Sequence, residues 1–239
     1  MTHQDEIVQA LIESLHDDNH MVRSAAVRAL GRTHHANSSV TPALLEALRD
    51  KGGLVYDFAL HALGDMNDSA AIPTLMTMLQ DPDADIRRAA ATLLGKQRHS
   101  EAVPLLIKLL NDEVLAVGHA AAEALGELGD KQAIPALIEI LASPHTDWAM
   151  CINVAQALGK LGDSQAAPTL INVFRRRWDV VPGMNTTPPV RKHVMEALVK
   201  LGDGAVPYLL TALTDADVKV RHGAVETLGH LAGESEAVN

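Results

Sequence analysis

The residues able to do chemistry fall on a few short stretches. Tyr56-Asp57-Phe58 and His61 set a carboxylate and an imidazole at i and i+4, on one face of a helix, beside two aromatic rings. His119 and Glu123 repeat that spacing. Such a pair can bind a polar ligand or move a proton near neutral pH; it can equally be a solvated ion pair. His193, Glu196, His222, Glu226 and His230 offer a carboxylate–imidazole set of the kind that holds iron in helical proteins. His16 and His20 flank Asp17-Asp18-Asn19, a turn composition, and so lack the helical logic of H-E-x-x-H. Cys151 has no base near it in sequence, and neither a Walker loop nor a G-x-S-x-G elbow occurs. The inventory leans away from catalysis. No catalytic residue, metal or other cofactor is expected from it.

These stretches sit on a repeating frame. Within Ser69–His99, Pro73 opens one apolar-striped helix carrying Ile72, Leu75, Met76, Met78 and Leu79. Asp81-Pro82-Asp83 breaks it, and Ile86, Ala89, Ala90, Leu93 and Leu94 restart the period, with Gly95 expected to loosen the exit. Helix-opening prolines recur at Pro42, Pro73, Pro104, Pro135, Pro168 and Pro207, the first four 31 residues apart. A Leu-Gly pair closes the second helix at Leu30-Gly31, Leu63-Gly64, Leu94-Gly95, Leu125-Gly126, Leu158-Gly159 and Leu228-Gly229. That period belongs to stacked helix pairs, none of which can bury its apolar face alone. The expected fold is all-α: a right-handed α-α superhelix, or α-solenoid, of about seven helix-pair repeats. Their limits are about 4–34, 36–68, 69–99, 100–130, 131–163, 164–203 and 204–235, and they form one domain over 1–239.

Composition narrows the partners. Of 239 residues, 20 are Lys or Arg and 30 Asp or Glu, a formal charge of −10, which disfavours a surface that tracks nucleic-acid phosphates. Aromatics make up 3%, as expected where alanine-rich helices pack in close layers. A single cysteine excludes an internal disulfide and fits a reducing compartment. Neither a signal-type leader nor an apolar run of roughly 20 residues is visible, so the expectation is a cytoplasmic protein with no membrane partner.

Counting each second helix from Val22, Val55, Ile86, Val117, Met150, Val190 and Val220, an arginine follows in four repeats: Arg23, Arg87, Arg191 and Arg221. An aspartate lies five before the start in five: Asp17, Asp50, Asp81, Asp112 and Asp215. Pairing within or between layers makes these a structural ladder. The patterns D-x4-[VI]-R, as in Asp81–Arg87, and A-L-G-x-L-G-D, as in Ala124–Asp130, resemble HEAT-like repeats of the phycobilisome-lyase type over nearly the whole chain. The resemblance implies either a protein-interaction scaffold or a protein that acts on the bilin chromophores of light-harvesting proteins. HEAT-repeat hydroxylases of the deoxyhypusine type are similar in architecture, but their metal ligands come in His-Glu dipeptides, which this sequence lacks.

In such repeats the second helices line the concave surface, and positions two, three and six after each start should face it. Those positions vary: Ser24, Ala25 and Arg28; Asp57, Phe58 and His61; Arg88, Ala89 and Thr92; His119, Ala120 and Glu123; Ile152, Asn153 and Gln156; Lys192, His193 and Glu196; His222, Gly223 and Glu226. A second candidate is the edge of repeats five and six, whose turns are lengthened by two and nine residues and carry Trp148, Arg175, Arg176, Arg177 and Trp178. The reading is a scaffold or adaptor that binds another protein. Its contact residues are Tyr56, Asp57, Phe58, His61, Arg88, His119, Glu123, Trp148, Asn153, Gln156, Arg177 and Trp178. The chain is expected to be a monomer, or a dimer through the less well capped C-terminal repeat. The alternative is a bilin lyase-like or chromophore-detaching protein that takes a linear tetrapyrrole at Tyr56, Asp57, Phe58 and His61.

Overall fold

A computed structural model describes residues 3–33, 39–176 and 189–237. Among them lie fourteen α-helices and no strand. Two compact units divide the chain, Met1–Ala102 and Val103–Asn239. The first contains α1 (His3–Glu13), α2 (His20–Gly31), α3 (Val40–Ala47), α4 (Val55–Met66), α5 (Ile72–Met78) and α6 (Ala84–Lys96). The second contains α7 (Val103–Leu109), α8 (Leu115–Leu128), α9 (Ile134–Ala142), α10 (Trp148–Leu161), α11 (Ala167–Val173), α12 (Val190–Lys200), α13 (Val206–Ala212) and α14 (Val218–Ala237). Odd and even helices are the first and second members of each pair. The architecture is an all-α helical-repeat solenoid.

The chemistry of one repeat explains its path. Asp68 accepts a hydrogen bond from the Ala70 N–H at 3.0 Å and starts a single 3-10 turn, Ser69–Ala71, which runs into α5 with Pro73 in the first turn. Asp130 and Asp163 do the same before α9 and α11. At the turn between helices, Asp81 accepts from the Asp83 N–H at 2.9 Å, and Asp83 then caps α6 through the Asp85 N–H. Arg87 reaches back from α6 to the carbonyls of Asp81 and Pro82, at 2.8 and 3.1 Å. Arg23 and Arg221 make the equivalent bonds, to Asp17 and Asp18 and to Asp215 and Ala216. Each guanidinium thus covers two carbonyls of the turn between the two helices, beyond the end of the first. The carboxylates pair between layers: Asp50 with Arg23, Asp81 with Arg49 and Asp215 with Arg175, each at 2.5 Å. The ladder is therefore structural, built largely from backbone carbonyls.

Leu75, Leu79, Ile86, Leu93 and Leu94 are fully buried, and Ala89, Ala90 and Ala91 have no exposed surface. Each leucine contributes about 1.5–3 kcal/mol by leaving water. Second helices stack on second helices: α2, α4 and α6 in the first unit, and α8, α10, α12 and α14 in the second. Glycine makes the stacking close. A Cβ on Gly31 would stand 2.7 Å from Ala62 Cβ, one on Gly126 2.8 Å from Ala157 Cα, and one on Gly159 2.9 Å from Ala197 Cα. The Leu-Gly glycine is expected from sequence to close the second helix; Gly31 does end α2, but the later repeats depart from that. Gly64, Gly95, Gly126 and Gly159 all lie within their helices. The chain turns instead three residues later, at Asn67, Arg98, Gly129 and Gly162, all with positive φ. Val22 departs from its equivalents as well. It is 40% exposed, whereas Val55, Ile86, Val117 and Val190 are buried.

Candidate partner-binding surface

In the first unit, α2, α4 and α6 present a row of arginines and aromatic rings. The Arg28 guanidinium lies 5.4 Å from the Phe58 ring centroid, and that of Arg88 lies 5.4 Å from Tyr56. Both rings sit on α4 and are half-buried, each covered by an arginine of a neighbouring layer. The Tyr56 hydroxyl donates to the Asp85 carbonyl at 3.3 Å; burial pushes the phenol above its ordinary value while Arg88 pulls the other way. Arg88 also meets the Asp85 carboxylate at 3.5 Å. Asp57 and His61 are exposed beside the rings. His61 lies 3.2 Å from Asp65, its i+4 neighbour on the far side, so its carboxylate partner is Asp65 where the sequence suggested Asp57. Asp65 also holds Lys96 at 2.9 Å, and that ammonium keeps its carboxyl below the usual range.

In the second unit the expected pair gives way to an interlayer one. His119 Nε2 lies 3.3 Å from Asp147, which precedes α10, while Glu123 is exposed. Asp147 caps α10 by accepting from the Ala149 and Met150 N–H groups at 2.8 and 3.0 Å. Burial raises its carboxyl, but the Met150 N–H and His119 outweigh that, and it ends below the usual range. Trp148 opens α10 half-buried, and Asn153 and Gln156 are half-buried on the same helix. Gln156 Nε2 lies 3.2 Å from His193 Nδ1, which is 3.0 Å from Glu196. Ala89, Ile152 and Gly223, expected on the open surface, are buried, since the alanine-rich stacking leaves no room at those positions. Against Gly223 the Phe174 ring would stand 2.4 Å from an added Cβ. Arg177 and Trp178 lie outside the described residues.

The candidate ligand set near the C-terminus is occupied from within. Arg191 stands 2.8 Å from Glu226 and 2.6 Å from His222 Nδ1, and stacks 5.1 Å over Phe174. A cation already sits where a metal would need those lone pairs. Among the described residues no group of three or more His, Cys, Asp or Glu side chains is arranged to hold a metal ion. Burial pushes the Cys151 thiol up to about 12, which leaves it un-ionised and unreactive.

Residues 8–92, 72–149 and 116–182 match the family of HEAT repeats, and residues 205–234 match the single HEAT repeat. The chain belongs to the HEAT-repeat family. No curated protein matches it. Among solved structures it is similar to human deoxyhypusine hydroxylase in complex with glycerol, at 20% identity over 96% of this chain and 97% of that one, with a TM-score of 0.44. It is also similar to the complex of CpcE and CpcF of phycocyanin lyase from Nostoc sp. PCC7120, at 20% identity, 94% of each chain and a TM-score of 0.39. A designed armadillo repeat protein in complex with the peptide (KR)4 shares 15% identity over 94% of this chain and 99% of that one, with a TM-score of 0.48. Likenesses this distant carry no argument about function.

The HEAT repeats of the second unit also form an edge pocket of about 500 Å3. It lies between the α7–α8 turn of repeat four and the lengthened α9–α10 turn of repeat five. The latter is held in place: the Thr146 hydroxyl donates to the Ile140 carbonyl, and the His145 N–H to Ser143 Oγ at 3.3 Å. Sequence reading singled out this turn by its two extra residues. It missed the pocket, whose other wall is an ordinary repeat. No helix among the described residues is long and apolar enough to cross a membrane.

Proposed function

We propose that the chain is a protein-binding scaffold that engages its partner through the second-helix surface of repeats one to three. HEAT-repeat solenoids typically serve as such scaffolds. The observation that supports this surface is the pairing of Arg28 with Phe58 and Arg88 with Tyr56 across three successive layers. Aromatic and arginine side chains dominate the energetics of protein interfaces, and here each ring is held in place before a partner arrives. Asp57 and His61 form the polar rim. The same reading assigns His119, Glu123, Asn153 and Gln156 to a partner surface in the second unit, with Trp148 beside it; Arg177 and Trp178, outside the described residues, are assigned to it from sequence alone.

The test is selection of displayed peptides against the intact chain, followed by titration of the best ligand. A Tyr56→Ala/Phe58→Ala double variant should bind at least tenfold more weakly, a loss of about 1.4 kcal/mol. Thr74→Ala, on the exposed side of α5, should bind as the parent does. Equal affinity for the double variant, with its thermal melt intact, would overturn the assignment.

A further inference from the structure

We propose that the edge pocket of repeats four and five receives an arginine or lysine side chain carried on an extended segment of a protein partner. The inference concerns the second unit, so it stands or falls separately from the arginine–aromatic surface of the first. Its lining includes the apolar side chains of Leu115, Ile140 and Met150, and Leu115 leaves 61% of its surface exposed to water. Three carboxylates, Asp112, Glu139 and Asp147, line the same pocket with His145; Asp147 also meets His119, and no lysine or arginine is in the lining. Apolar side chains beside carboxylates are complementary to a long aliphatic stem that ends in a cation. A bare cation would leave the apolar lining in water, and an apolar side chain would bring nothing to the carboxylates.

The walls are already set for an incoming side chain. Asp112 is fixed by the Val114 N–H at 2.9 Å, and Asp147 by its cap on α10. The hydrogen bonds of Thr146 and His145 hold the turn between them. Little ordering is therefore left to oppose binding. Glu139 is exposed on α9 and makes the charge of the site adjustable without disturbing a cap.

The experiment is fluorescence anisotropy of a labelled tetra-arginine peptide on the full chain at 0.15 M salt, with tetra-citrulline as the neutral isostere and spermidine as competitor. Saturable one-to-one binding is expected for tetra-arginine and none for tetra-citrulline. Glu139→Gln should weaken it at least fivefold and Ala136→Trp, which fills the pocket, at least tenfold. Glu46→Gln, the same charge change on α3 in the first unit, should leave it within twofold. Equal weakening by Glu46→Gln and Glu139→Gln would reduce the effect to the overall charge of −10 and overturn the proposal. So would unchanged binding to Ala136→Trp, or spermidine displacing the peptide at matching concentration. Thermal melts of both pocket variants confirm folding, and Glu139→Gln alone remains decisive if Ala136→Trp is unstable.

Discussion

Arg98 occupies, at φ 58°, the left-handed turn position that Gly129 and Gly162 fill at φ 71° and 67° in repeats four and five. A side chain there costs about 1 kcal/mol. Arg98→Gly should therefore raise the unfolding free energy by up to roughly 0.6 kcal/mol in urea titrations, after allowance for the freer unfolded chain. Gly126→Ala works in the opposite direction. Its new Cβ would meet Ala157 Cα at 2.8 Å, and the variant should lose about 1–3 kcal/mol in the same titration. Both glycines of the Ala124–Asp130 pattern were visible in the sequence, but their division of labour was not. One admits the neighbouring helix and the other turns the chain, and only the neighbour's position tells them apart. The ladder arginines Arg23, Arg87 and Arg221 are similar: their spacing was legible, while the turn carbonyls they cover carry no side-chain signature; Arg191 departs from them and pairs with Glu226 and His222.

At the scale of the element, caps and interlayer pairs decide how each helix is held. Asp147 caps α10 and meets His119 of α8, so Asp147→Ala should cost about 1–2 kcal/mol in chemical unfolding. Asp147→Asn should recover part of that, because it keeps the cap acceptor. Arg49 beside Asp81, Arg23 beside Asp50 and Lys51 beside Asp83 hold these carboxyls below their ordinary values. Depressed carboxyls bind fewer protons in the folded state, so their stabilisation is present above the unfolded pKa of about 4 and lost as pH falls through the lower folded values. The urea midpoint should stay level from neutrality to about pH 5 and then decline, and Arg49→Met should shallow that decline. Helix pairs, prolines and the lengthened turn of repeat five were all readable from spacing. The partner of His119 was not, because an i,i+4 rule sees one helix while the layers supply its acceptor from the next repeat; for His61 the same rule allowed both Asp57 and Asp65, and spacing alone did not choose between them.

For the molecule as a whole, a HEAT-repeat array converts repeated core residues into a scaffold and varied second-helix residues into a surface. Seven helix pairs could be counted from sequence because each must reproduce the same buried set. The surface was legible only as variation; the Arg28–Phe58 and Arg88–Tyr56 pairings needed the layers brought together. The most direct measurement is photo-crosslinking in the source cells, with benzoylphenylalanine at His61 beside the rings or at Thr74 on the first-helix side. The account predicts one protein adduct from position 61, abolished by Tyr56→Ala/Phe58→Ala, and none from position 74. The same adduct from both positions, or one from position 61 that survives the double substitution, would contradict it.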